Sequence, residues 1–273
     1  MIPTYNSITS AIFSPMMGWF GSVSSLIDIL AWSILGGVVA LLVYKWISNQ
    51  AGIEKAKNDI KVHLLEIRLF QDDLLGVVIA TGKILGKNAL YIGHNILPMV
   101  VMFVPMMTIL FQLEANYALD PIPVGSTEVM TLKLDPTVTN LKAGDVRLEL
   151  PEGIVLTAPP VATGEEIAWR LRVDEPGDHV LKIQVGDDLF EKGLAAGGVS
   201  RTVPFLRTKA WEAFLYPGEA ALPSDSPVKE IRLAYPDRKI PFLPDGEGGI
   251  LLSFFLLSIG AGLALKGVFG VTL

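Results

Sequence analysis

The sequence predicts an α-helical membrane protein with three spans and a cytoplasmic helical hairpin, joined to an all-β domain outside the membrane. Three observations predict it. Three runs are almost free of charge, one charged stretch carries apolar residues at helical spacing, and one long stretch alternates with a period of two. Of the 273 residues 51% are hydrophobic and 18% charged, with a mean hydropathy of +0.47. Soluble domains are about 25% charged, so a single soluble globule, a disordered chain and a collagen-like fibre are all excluded. A net charge of −6 and a pI near 5.1 speak against a nucleic-acid partner, which calls for a basic face. With no cysteine there is no disulfide framework and no thiolate chemistry, and the compartment stays open on that ground.

Residues 1–25 hold no Lys or Arg, which argues against a cleaved signal peptide, since such a peptide starts with positive charge. Phe13, Trp19 and Phe20 predict that this stretch lies at the interface, outside the membrane. The first span is 26–47, interrupted only by Asp28 near its start and Lys45 near its end. Residues 48–91 change to a charged helical pattern, with Ile53, Ala56, Ile60, Leu64, Ile67, Leu74 and Val78 at three- and four-residue steps, as in a coiled coil. Asp72 and Asp73, followed by Gly76, mark a break and a new N-cap, so the stretch reads as a helical hairpin. An amphipathic pair of this kind packs on itself or on a second copy; a partner-binding role is the alternative. The second span is 92–113, free of charge from Ile96 onward. The third is 250–269. Its charge-free run ends at Leu265, rising about 24 Å against a hydrocarbon core of roughly 30 Å, and a snorkelling Lys266 completes it.

Lys and Arg set the orientation. Seven lie between Lys45 and Lys87, while the long stretch 114–249 holds 14 basic and 22 acidic residues. The N-terminus and 114–249 are therefore expected outside, and 48–91 and the C-terminus in the cytoplasm of a bacterial inner (plasma) membrane.

From Glu128 to Pro204 the period is two. Met130, Leu132 and Leu134 face one way and Val129, Thr131 and Lys133 the other. Similar runs are Val146–Leu150, Ile167–Val173, Val180–Val185 and Val199–Val203, separated by turns such as Glu175-Pro176-Gly177-Asp178 and Gly186-Asp187-Asp188. Short strands at this spacing predict an immunoglobulin-like β-sandwich over 114–205. A Pro-rich, irregular linker over 206–249 follows, with a helical turn at Lys209–Tyr216 and one further strand at Glu230–Tyr235.

No catalytic constellation stands out, and the chain is expected not to be an enzyme and to need no cofactor. It has no phosphate-binding Gly-rich loop and no nucleophile elbow. His63, His94 and His179 fall on a cytoplasmic helix, a membrane boundary and an outside strand, so no metal site is expected. More informative are polar residues toward the cytoplasmic side of the spans: Lys45, Asn49, Gln50, Tyr91, His94, Asn95 and Ser258. Such groups face a bundle interior or a wet cavity by default, and a hydrophilic groove open to the cytoplasm is one reading of them, although from these residues alone it is not the leading one. Headgroup contact and helix packing are the alternative.

The order of parts resembles the core of the YidC/Oxa-type membrane insertase superfamily, particularly its three-span branch, which includes subunit three of the ER membrane complex and small archaeal relatives. Asn95-Ile96-Leu97-Pro98-Met99 resembles the opening of the second core span in that subunit, and Pro98 with Pro105 resembles the proline-punctuated second core span of YidC. The resemblance covers 8–113 and 249–273, with the β-domain as an addition. It implies an insertase or membrane chaperone without ATP hydrolysis, whose partners are the lipid bilayer, nascent membrane proteins or the ribosome at the hairpin, and a protein at the β-domain. A charge at the bilayer centre costs about 2.5–3.5 kcal/mol, and a wet groove removes part of that. The competing expectation is a non-catalytic accessory or structural subunit of an envelope complex, docked through the β-domain.

Overall fold

A computed structural model describes residues 25–138, 141–198 and 202–271, and before them 8, 9, 11–13 and 16. The interfacial segment expected over 1–25 lies mostly outside the described residues. From residue 25 on, the described residues form four α-helices: α1 (Ser25–Ile47), α2 (Gln50–Leu69), α3 (Leu74–Tyr117) and α4 (Gly246–Phe269). α1, α3 and α4 are long and apolar enough to cross a membrane, the mark of an integral membrane protein. The chain divides into two compact units, a helical unit (Leu30–Ile109 with Phe254–Leu273) and a β-unit (Met1–Ile29 with Leu110–Ser253).

In the helical unit, α2 runs back along the start of α3. Lys87 pairs with Asp59 at 2.7 Å and Lys83 with Glu66 at 3.7 Å, which fixes the two arms as antiparallel. On the hairpin Ala56 and Ala80 are buried, while Ile53 at the start of α2 is buried against Leu41, Tyr44 and Val271. The break falls where the acidic pair predicts it: the Val77 N–H donates to the Asp73 carbonyl at 2.9 Å, opening α3. The return arm and the second span are then one continuous helix of 44 residues, and not two segments meeting at residue 91. At 1.5 Å per residue it is about 66 Å long, twice the hydrocarbon thickness. Nothing between Leu74 and Leu113 stops it, because Pro98 and Pro105 sit in a segment whose remaining backbone groups have no water to turn to. α4 also exceeds its apolar run, starting at Gly246, and its 24 residues rise about 36 Å.

The β-unit contains two antiparallel sheets. One has the order β3 (Ile154–Leu156), β5 (Glu166–Val173), β1 (Thr127–Leu134), β9 (Val228–Leu233), β8 (Leu206–Thr208), with β4 (Val161–Thr163) also on β5. The other is β2 (Val146–Glu149), β6 (Gly177–Val185), β7 (Asp188–Ala196). Strand alternation dictates the interior. Met130, Leu132 and Leu134 of β1 and Ile167, Trp169, Leu171 and Val173 of β5 share one core with Leu181, Ile183 and Val185 of β6. The turn between β6 and β7 has two residues, Gly186 and Asp187. Gly186 at φ 60 supplies the positive φ that a type II′ hairpin needs at its first position.

Two expectations change here. The stretch 206–249, expected as an irregular linker with one strand at 230–235, supplies β8 besides that strand, which is β9, and β9 sits between β1 and β8 inside the larger sheet. The strand expected at Val199–Val203 lies largely outside the described residues, and 202 and 203 are not strand. The missing strand is β7, whose Lys192 and Gly193 break the apolar alternation. Lys192 is nonetheless fully buried. It donates to the carboxylate of Glu219 and to the Pro204 carbonyl, and the other Glu219 oxygen accepts the Gly193 N–H at 2.9 Å. Burial pushes the Lys192 ammonium down to about 8, against the pull of Glu219.

A second pair, nearer the surface, joins the end of β1 to the segment after β8. Lys209 Nζ donates to Asp135 at 2.7 Å, and Thr137 adds its N–H at 3.1 Å. The Lys209 bond first, and Thr137 after it, hold the Asp135 carboxyl down at about 2. A depressed folded-state carboxyl stabilises fully above its unfolded value near 3.9, and that stabilisation is lost as pH falls toward 2. Asp135→Asn is therefore expected to flatten the acid limb of the unfolding curve between about pH 4 and 2. Near-ultraviolet circular dichroism of the full-length protein checks it; an unchanged limb means the pair contributes nothing.

Candidate functional site

The helical unit contains an open-sided cavity of about 610 Å³ between α1, α3 and α4, with exposed Met99, Phe103 and Ile259 along its rim. That is within the roughly 300–1,000 Å³ of ordinary ligand sites. Each helix gives it one stripe: Gly37, Ala40, Leu41 and Tyr44 from α1, Asn95, Met99, Met102 and Met106 with their neighbours from α3, and Phe255, Ser258, Ile259 and Gly262 from α4. Steps of three and four keep each stripe on a single face, so the lining is built by the helical period itself.

Three of the seven residues singled out from the sequence line this cavity: Tyr91, Asn95 and Ser258. The other four do not. Lys45 Nζ donates to the Phe269 carbonyl at 2.7 Å, placing its charge on the C-terminus of α4, where a cation is favoured. Asn49 is the N-cap of α2 and accepts the Gly52 N–H at 2.9 Å. Gln50 donates to the Ser48 hydroxyl. His94 packs beside Gly52, its Nε2 standing 3.0 Å from where a Cβ would be. Local needs at the α1–α2 corner claim Asn49 and Gln50, the end of α4 claims Lys45, and packing on Gly52 claims His94.

The cavity is also less polar than expected. The Tyr44 hydroxyl donates to Asn95 Oδ1, Asn95 Nδ2 donates to the Tyr91 carbonyl at 2.6 Å, and Ser258 Oγ donates to the Phe255 carbonyl at 3.2 Å. Tyr44, Asn95 and Ser258 are satisfied by one another and by the backbone, so the surface left to an occupant is mainly aliphatic, aromatic and thioether. One end of it carries the Tyr44–Asn95–Tyr91 cluster. Four methionines, Met99, Met102, Met106 and Met107, belong to the lining; their unbranched side chains re-pack around varied shapes.

The residues that the polarity argument overlooks are Gly36 and Gly37. A Cβ on Gly37 would stand 2.5 Å from the Ser258 carbonyl oxygen and 3.1 Å from Ala261 Cβ, and one on Gly36 would meet the Phe254 ring at 3.1 Å. Here α1 and α4 approach backbone to backbone, which sets one wall of the cavity. The signal was available: two adjacent glycines in an apolar helix weaken it, and close packing is the usual return. Among the described residues no three His, Asp or Glu gather as a metal site. No family model matches the chain, and it has no match among curated proteins or solved structures.

Proposed function

We propose that the protein is a non-catalytic insertase or membrane chaperone that receives one segment of an incoming membrane protein in the cavity between α1, α3 and α4. The observation that carries this reading is the open-sided cavity itself: α1, α3 and α4 leave about 610 Å³ between them, with Met106 and Met107 buried at its base. An anchor whose helices pack fully against one another leaves no such groove between them. A methionine-rich lining suits an occupant that changes from one substrate to the next. In this reading the N-terminus and the β-unit, as an immunoglobulin-like sandwich, lie outside and hold the emerging chain or a partner. The α2–α3 hairpin faces the cytoplasm and meets the nascent chain, and the Tyr44–Asn95–Tyr91 cluster receives its polar leading end. The YidC/Oxa-type resemblance of the helical part belongs to the same proposal.

Met102→Trp places a bulky ring in the cavity, whereas Leu256→Trp alters an exposed position on α4. In proteoliposomes, insertion of a single-span protein with a short translocated tail should slow several-fold with the first variant and stay unchanged with the second. Equal rates for both would remove the cavity from the mechanism.

A further inference from the structure

The loop that leads into α4 carries an aromatic side chain that its own chain does not use. The Leu243 N–H donates to the Ile240 carbonyl at 3.2 Å, closing a four-residue turn. Pro241 takes the second position, which its ring pre-sets, and Phe242 takes the third at φ 68. That geometry is a type II turn, whose third position ordinarily belongs to Gly or Asn. Phe242 is the one non-glycine residue with positive φ among the described residues. For a bulky side chain this is a strained conformation, persisting only where the surroundings enforce it. The side chain is also 97% exposed, so no packing in the chain offsets the strain.

The turn is held at the head of α4 by tight contacts on both sides. A Cβ on Gly249 would stand 2.0 Å from the Pro244 carbonyl oxygen, so the loop lies directly against the first turn of the helix. A Cβ on Gly246 would meet the Asp237 carboxylate at 2.7 Å. On the other side, Arg238 donates to Asp120 at 2.8 Å and to the Leu119 carbonyl at 3.2 Å, and its guanidinium lies 5.7 Å over the Tyr117 ring. The Tyr117 hydroxyl in turn donates to Asp28 at the start of α1. The loop 236–246 is thereby fastened where three apolar helices begin or end, one turn before the apolar run from Ile250.

We propose that Phe242 is a membrane-interface anchor: the strained turn presents its ring to the lipid leaflet on the side of the β-unit, where acyl chains cover it. The inference rests on the reading that α4 crosses a membrane. It commits to lipid because the loop that carries the ring lies against the first turn of a lipid-crossing helix, and because an exposed Phe at that depth buries its ring among acyl chains as the Trp, Phe and Leu of interfacial segments do.

The chain has no cysteine, so Phe242→Cys, Leu256→Cys and Leu189→Cys each give one attachment site on the full-length protein. All three positions are exposed, and a nitroxide label there displaces no packed neighbour. In lipid nanodiscs, collision of each label with oxygen, which concentrates in lipid, is compared with collision with a water-soluble nickel chelate. The expected result is an oxygen preference at 242 several-fold above that at 189 and approaching that at 256. A ratio at 242 equal to that at 189 overturns the anchor while leaving the spans in place. A label at 242 shielded from both reagents points to a protein surface or a second copy and also overturns it. An aqueous ratio at 256 would overturn the membrane reading and the anchor with it.

Discussion

Gly37→Leu is expected to destabilise the helical unit by about 3 kcal/mol or more, the upper range for overpacking a well-packed site. Even the first added carbon would stand 2.5 Å from the Ser258 carbonyl oxygen, and a backbone atom cannot turn aside as a flexible side chain would. α1 and α4 must separate, and the cavity wall they form opens with them. Gly82 supplies the contrast. A Cβ there meets nothing within 4 Å, so Gly82→Ala should stabilise α3 by roughly 0.5–1 kcal/mol through helix propensity alone. Thermal unfolding of both variants in the same detergent checks the pair of outcomes. Equal melting temperatures would mean that the close approach at Gly37 does not hold the unit together.

Glu219→Ala is expected to cost the β-unit about 3–5 kcal/mol, the usual result of stranding one member of a buried ion pair. Lys192 has no exposed surface, so its ammonium would remain in the core with only the Pro204 carbonyl, and the Gly193 N–H would lose its acceptor as well. The double variant Lys192→Met with Glu219→Leu should recover much of that loss, since an apolar pair of similar volume often replaces a buried ion pair at little cost. Recovery should be incomplete, because the Gly193 N–H still goes unpaired. Hydrogen exchange of β6 and β7 in the full-length protein reads the effect directly. Wild-type protection in Glu219→Ala would show that the pair carries no stability.

Position along the chain was legible wherever a pattern repeats. The three charge-poor runs became α1, the second half of α3 and α4, because hydrocarbon accepts only helices whose backbone groups are all satisfied internally. The period-two runs became β1, β2, β5 and β6 in the expected phase, Met130, Leu132 and Leu134 inward and Lys133 outward, because alternation is a property of any strand with one buried face. The acidic pair before Gly76 marked the corner of the hairpin through the same local hydrogen-bond competition that favours Asp at helix starts.

Elements that depend on a distant partner were not legible. β7 hides behind Lys192, whose burial makes sense only once Glu219, 27 residues away, accepts its hydrogen bond. The strand at 230–235 was legible as β9, but its place beside β1 was not, because that is a matter of pairing across about a hundred residues. The same division runs through the candidate site. Polarity near the span ends pointed to Tyr91, Asn95 and Ser258, which line the cavity, and equally to Lys45, Asn49, Gln50 and His94, which cap helices or pack at the α1–α2 corner. Composition cannot separate the two sets, because both need a hydrogen-bond partner and only folding decides whether the nearest one is a helix end or another side chain.

By itself, then, the sequence determined that this is a membrane protein with three apolar helices, a charged hairpin and a β-domain, since each follows from local periodicity and the solvation of the backbone. The tertiary structure alone decided that α3 is unbroken, that 206–249 completes a sheet, that the space between the spans is a methionine-rich cavity and not a polar channel, and that Phe242 stands exposed in a glycine position. Those outcomes are set by which groups meet across the fold, and contact between distant residues leaves no period in a single chain.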